Sequence, residues 1–394
     1  MKILSFLLLL VGTASWSLAD LPAMRPQEGL RENAPNVHAL TKARLVPRPG
    51  EVIESGNILV RNGLIVAIGS NVPIPENARI WDLSGLTIYS GFIDAYAQFG
   101  KELESPKQNQ PAHWNTEVFP QRSVLDAVTI SQDDVKKRRE LGFTTAHLVP
   151  TGGIFSGKGA VVQMTAPEAA SFVLKRRASQ HLAFVTLGST YPKSLMGCLA
   201  LIRQTLSDAD WYRRYKQVYK QHPNEIRPGE HVALNALAAT VSRKEPVFFH
   251  LGDEADVQRA LAIADQYKLR RVLVDSGHGY RQAKRFRRSG TELVLSIDFP
   301  EAPIVSAPDR ALDVSLEKMQ HWEQAPTNAA VLHERGVKFA LSTHRLGSKL
   351  NEFWPNVRRA IQHGLDEQAA IEALTSAPAR MLGESARLGE ISNG

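Results

Sequence analysis

Apolar positions fall into three successive patterns along the chain. Behind a single Lys2, the stretch Ile3 to Val11 is almost wholly apolar, and Ser17-Leu18-Ala19 precedes Asp20. The run is shorter than the ~20 residues a helix needs to span a bilayer. A cationic start, a short apolar run and a small-x-small tripeptide form a secretory signal peptide, residues 1–19. No later stretch is long and apolar enough for a membrane helix, so an exported protein, periplasmic or extracellular and off the membrane after cleavage, is expected.

The second pattern, 20–88, is β-rich. A first strand is predicted near Ala39 to Val46. Asn57 to Arg61 and Leu64 to Ile68 flank Asn62-Gly63, the strongest short-range signal for a hairpin. Arg79 to Leu83 and Leu86 to Tyr89 read as a second pair of strands turning at Ser84-Gly85.

The third pattern, from residue 89 to about 385, alternates short apolar strands with helical periodicity. Strands are predicted at Phe92–Ala97, Thr144–Val149, Ala160–Met164, Pro246–His250, Arg271–Val274, Thr291–Ile297 and Lys338–Ser342. Helices are predicted at Gln132–Leu141, Ser194–Val218, Glu254–Tyr267, Tyr280–Arg288, Asn328–Arg335, Trp354–His363 and Asp366–Thr375. Such units pair in parallel through right-handed crossovers. Their period fits an open doubly wound sheet and a closed barrel equally. In both, function gathers at the carboxyl ends of the strands. Those ends are Tyr96–Phe99, His147–Thr151, His250, Ser276–His278, Asp298 and Thr343–Arg345.

Composition narrows the classes. A single cysteine, Cys198, excludes an intrachain disulfide, so a large core must hold the fold. The net charge is +7, with basic runs at Lys136–Arg139, Lys175–Arg177, Arg213-Arg214 and Lys284–Arg288. These runs are expected mostly on solvated helix faces. No aromatic-interleaved basic stripe accompanies them, which argues against nucleic acid as a partner. Gly152 to Lys158 fits the spacing of a phosphate loop, but Gly159 stands where the magnesium-binding hydroxyl belongs and a strand follows instead of a helix. No nucleophile-elbow sequence surrounds Ser156 or Ser342.

Residues 56–100, GNILVRNGLIVAIGSNVPIPENARIWDLSGLTIYSGFIDAYAQFG, resemble the opening of the amidohydrolase superfamily, above all its imidazolonepropionase-like branch. LGFTTA (141–146), PVFFH (246–250), GVKFALSTH (336–344) and AIEALTSAPARMLG (370–383) continue the resemblance over nearly all of 40–390. The resemblance implies a (β/α)8 TIM-type barrel at 89–385 with a small β-sandwich domain at 20–88. Residues 386–394 would begin the return to that sandwich, which is left incomplete. It also implies metal-dependent hydrolysis of carbon–nitrogen bonds, in which the metal lowers the pKa of a bound water.

The family's ligands are only partly kept. Its His-x-His pair after the first strand is Tyr96 and Gln98 here. The fifth-strand histidine is kept as His250, and the eighth-strand aspartate position holds His344. The sixth-strand region offers His278. A catalytic zinc needs three protein ligands and one open position, and phenol and carboxamide are poor replacements for imidazole. The chain is therefore read as a barrel with a degenerate metal centre and no bound cofactor, supporting a catalytic unit. A rebuilt zinc site of His250, His278 and His344, with His147 or Asp275 in support, is the enzymatic alternative. A small-ligand-binding barrel whose mouth is lined by Trp114, Trp322 and Trp354 is the other.

YPKSLMGCLALIRQTLSDADWY (191–212) and MQHWEQAPTN (319–328) further resemble the first, ligand-poor unit of large exported bacterial proteins with two tandem amidohydrolase-like units. The expected partner is thus a second amidohydrolase-like unit that completes the β-domain; a homo-oligomer is the other expected assembly.

Overall fold

The computed structural model describes residues 36–103, 112–186, 190–306 and 311–394. The predicted signal peptide lies outside the described residues.

The small domain is a five-stranded sheet: β1 (Val37–Arg48), β2 (Glu51–Arg61), β3 (Leu64–Gly69), β4 (Arg79–Asp82) and β5 (Thr87–Tyr89). β1, β2 and β3 form an antiparallel meander, with β2 and β3 joined through Asn62 and Gly63, both at positive φ. The expected hairpin between β4 and β5 is not formed. Both strands pair in parallel with β1, β4 along His38–Thr41 and β5 along Arg44–Val46. Lys42, at φ 60°, bulges β1 between the two segments. The backbone bonds Leu83 N–H to Thr41 O (2.9 Å) and Arg44 N–H to Leu86 O (3.0 Å) carry the pairing across the gap. The return segment reaches this sheet through Ile391 N–H to Pro47 O (2.9 Å) and Gly394 N–H to Ile65 O (2.8 Å).

The larger sheet has eight strands and is nearly closed. β6 (Phe92–Ala97) pairs in parallel with β9 (Phe143–Leu148). β10 (Phe155–Gln163) runs antiparallel to both β9 and β11 (Val173–Ala183). β11, β12 (Val247–His250), β13 (Arg271–Val274), β14 (Glu292–Ser296) and β15 (Phe339–Ser342) are parallel. A two-stranded ribbon, β7 (Lys101–Glu102) with β8 (Val128–Thr129), sits after β6.

β11 was not expected. Its sequence, VLKRRASQHLA, places three consecutive cations where alternation should show, and the Lys175–Arg177 run belongs to this strand, not to a helix face. The run survives in a strand because Lys175 reaches the Leu382 carbonyl (3.0 Å) and the Glu384 carboxylate (2.9 Å).

Alternation along the strands makes two cores. Phe248, Val272, Val274, Val294 and Ala340 form an inner cluster with Met381 and Leu382 of the helix Ser376–Leu382. Phe249, Leu273, Leu295 and Leu341 join the outer cluster with the helix residues Leu201, Phe286 and Phe353. Each such side chain contributes roughly 1.5–3 kcal/mol on burial. The helices start where the sequence supplies oxygen caps: Ser131 with Asp134 in a reciprocal capping box, Ser194 before the 27-residue helix Leu195–Gln221, and Asp366 before Glu367–Leu374.

A candidate active site that three imidazoles do not complete

Tyr96 and Gln98 end the first barrel strand but face different surroundings. The pairing register of β6 slips between Asp94 and Ala97. Tyr96 is buried and Gln98 is exposed, on the wall of a mouth cavity of about 610 Å³. The Tyr96 ring stands edge-on to His344 with centroids 4.9 Å apart, edge-on to His181 at 5.7 Å, and stacks on His250 at 6.2 Å. Burial pushes its phenol well above the ordinary tyrosine range, so it keeps its proton at neutral pH.

His250 and His344 come together, ring centroids 5.3 Å apart and nearly perpendicular. Burial lowers the pKa of both, and the nearby Arg345 charge lowers it further; His344 falls to about 3. Arg345 is held at φ 72° with its guanidinium donating to Ser276 O (3.0 Å).

Beneath Tyr96 lies a trio that sequence reasoning only half found. His147 Nδ1 is 3.0 Å from Ala95 O, and its Nε2 is 2.7 Å from Ser179 Oγ, which is 2.8 Å from His181 Nε2. Burial pushes His147 down to about 4 and His181 well below its ordinary value, so both rings are neutral. A carbonyl only accepts, so His147 carries its proton on Nδ1. Ser179 must then donate to His147 Nε2, and His181 donates to Ser179 from Nε2. His181 Nδ1 is left with a bare lone pair, buried and without a partner among the described residues. Gly159 is required opposite: a Cβ there would lie 2.5 Å from Ser179 Oγ and 2.6 Å from His147 Nε2. Ser179 and His181 escaped notice because β11 did; the two-residue step from Ser179 to His181 was the available signal.

The remaining expected residues are elsewhere. His278 caps no metal group with His250 and His344; it precedes the helix Gly279–Ser289 and stacks on His321 at 3.8 Å. The rebuilt site of His250, His278 and His344 is not assembled: among the described residues no three such ligands come together, and His278 packs on His321 instead. Asp275 holds the turn that carries His278, accepting from Gly279 N–H (3.1 Å) and Asn328 Nδ2 (3.0 Å). Lys158, from the phosphate-loop spacing, is buried in an ion pair with Glu245. Ser156 donates to Gly153 O (3.4 Å) and Ser342 accepts from His344 N–H (3.2 Å). Trp114 is exposed and stacks on Tyr191 at 6.1 Å, but Trp354 is half-buried against Phe92 and donates to Leu141 O (3.1 Å); Trp322 is half-buried on the helix Leu316–Gln324.

A solved amidohydrolase from Thermotoga maritima MSB8 superposes with a TM-score of 0.73 over 90% of this chain and 91% of its own, at 22% identity. The chain has the amidohydrolase fold. A second amidohydrolase crystal structure matches at a TM-score of 0.51 and 16% identity, covering 91% of this chain and 90% of its own. A prolidase bound to N-methylphosphonate-L-proline matches at 0.50 and 13%, with the same coverages. No family model and no curated protein matches the chain.

Amidohydrolase-fold enzymes are normally metal-dependent, and the residues present do not fit that metal. Among the described residues no three His, Cys, Asp or Glu side chains come together as a ligand set. A protonated phenol fills the space between His181, His250 and His344, and Gln98 points to the mouth.

Proposed function

We propose that this chain is a non-catalytic amidohydrolase-fold barrel that supports a catalytic unit or partner outside the cytoplasm. The reading is carried by Tyr96: its ring packs against His344, His250 and His181, where a hydrolytic centre would need open coordination space. The partner reading is supported by the small domain. An apolar cleft of about 280 Å³ runs between Leu40, Ile58, Val60, Ile65 and Ile88 on the sheet and Leu388 on the return segment. Leu64, Ile80 and Leu86 of the same domain are more than half exposed. A second amidohydrolase-like unit would cover that surface.

Elemental analysis of the purified mature protein, equilibrated with zinc and freed of excess, tests the central claim. The expected result is no stoichiometric zinc. About one zinc per chain, lost on His250→Ala or His344→Ala, would instead establish a metal-dependent carbon–nitrogen hydrolase with an altered ligand set.

A further inference from the structure

The end of the barrel opposite the mouth has a cavity of its own. It lies at the amino ends of β13, β14 and β15, where the helix-to-strand turns gather. Its volume of about 550 Å³ is in the range of small-molecule sites, roughly 300–1,000 Å³. Buried Leu269, Phe286 and Val337 line its base, and four cations, Arg270, Arg271, Arg287 and Lys338, stand around it.

Only one of these cations is neutralised. Arg271 pairs with Asp265 and ties two turns together, donating from Nε to Thr291 Oγ1 (2.8 Å) and from Nη2 to Ser289 O (2.7 Å). Arg270, Arg287 and Lys338 are exposed and make no ion pair among the described residues. Arg270 spends only Nη2, on the carbonyls of Arg380 (3.0 Å) and Met381 (2.9 Å). Arg287 spends only Nη1, on Gly336 O (3.3 Å), which leaves its Nε and Nη2 without a partner among the described residues. The Lys338 ammonium makes no hydrogen bond among them. Glu292, the one carboxylate on the cavity wall, is taken by Arg380 Nε (3.3 Å).

The helix macrodipole favours a cation in a last helical turn by about 0.3–1 kcal/mol, which accounts for Arg287 on the helix Gly279–Ser289. It does not account for Arg270 and Lys338, which lie beyond their helices, next to the strands. Two guanidinium groups and an ammonium with spare donors suit a tetrahedral dianion, whose oxygens accept from several sides at once. The apolar base suits an organic body on that anion. We propose that this amino-end cavity binds a small phosphate monoester, its phosphate on Arg270, Arg287 and Lys338 and its apolar body against Leu269, Phe286 and Val337. The inference does not rest on the non-catalytic reading, which concerns the other end of the barrel, and either can fail alone.

Titration calorimetry of the full chain with phenyl phosphate tests it, beside phenyl sulfate, a monoanion of similar shape, and orthophosphate, which lacks the body. Saturable one-to-one binding of phenyl phosphate is expected, and weaker binding of both others. Arg287→Gln and Lys338→Gln should each weaken phenyl phosphate by about tenfold, the loss of one charged hydrogen bond. Lys338→Gln breaks no contact among the described residues, so its thermal midpoint should stay that of the parent. Lys220→Gln, an exposed residue of the helix Leu195–Gln221, makes the same change in net charge and should leave binding intact. Absence of phenyl phosphate binding, equal affinity for phenyl sulfate or orthophosphate, or equal weakening by Lys220→Gln would each overturn the proposal. So would binding to phosphatidylglycerol vesicles without binding to phenyl phosphate, which would make this end a membrane-docking face.

Discussion

Asp94 on the first barrel strand accepts two hydrogen bonds from Thr343 after the last, one from its backbone N–H at 3.1 Å and one from its hydroxyl. The two ends of the eight-stranded sheet are joined at this point by a side chain. Asp94 also accepts from Tyr96 N–H (3.3 Å) and is fully buried. Burial pushes its carboxyl above the ordinary range, against the donors from Thr343 and the Arg138 charge. Asp94→Ala would strand three buried donors, and a loss of about 3 kcal/mol is expected. The urea midpoint measures it; an unchanged midpoint would show that the barrel closes without this contact.

Gly159→Ala sets a methyl against Ser179, His147 and His181 at once. Neither His147 nor Ser179 can retreat, since both are wholly buried. A destabilisation of roughly 1–3 kcal/mol is expected from overpacking, and thermal unfolding reads it. Ser179→Ala, which removes the shared hydroxyl, should cost about 2 kcal/mol by leaving two imidazole nitrogens unpaired.

The neutral imidazoles make stability fall in acid. In the folded state His147 titrates at about 4 and His344 at about 3, whereas an unfolded histidine titrates near 6.5. Between those values the unfolded chain binds more protons, so stability rises with pH there and is full above 6.5. Thermal midpoints should be flat from pH 8 to 7 and drop steadily from 6.5 to 4. His147→Gln should shallow that slope; an identical slope would place the titration elsewhere.

Tyr96→Ala removes the ring that His344, His250 and His181 pack against. A cost of about 3–5 kcal/mol is expected for the cavity, while Tyr96→Phe should stay within about 1.5 kcal/mol because the packed ring remains. Comparable losses in both variants would mean that the hydroxyl, not the ring, holds the cluster.

The hairpin at Asn62-Gly63 was legible because its two residues must adopt positive φ and few others do so cheaply. The second turn signal, Ser84-Gly85, was real and yet misled. The chain does turn there, but β1 bulges at Lys42 to offer each flanking strand its own partner, a tertiary choice no local pattern records. The positions that depart from the family's ligands could be read from aligned motifs. That Tyr96 faces inward and Gln98 outward could not, since it depends on a register slip in β6. His278 looked equivalent to His250 and His344 in the sequence because its actual neighbour, His321, lies far along the chain and leaves no local signal.

The antiparallel meander of β9, β10 and β11 has a consequence for how the barrel is made. Elsewhere neighbouring strands are separated by crossovers, but here they follow through short connections, so their closure costs little loop entropy. Assembly is favoured to start on this local platform and to add the parallel strands on either flank. The Asp94–Thr343 bond, joining residues 249 positions apart, is then the natural last clasp, and its loss should accelerate unfolding while leaving the refolding rate nearly untouched.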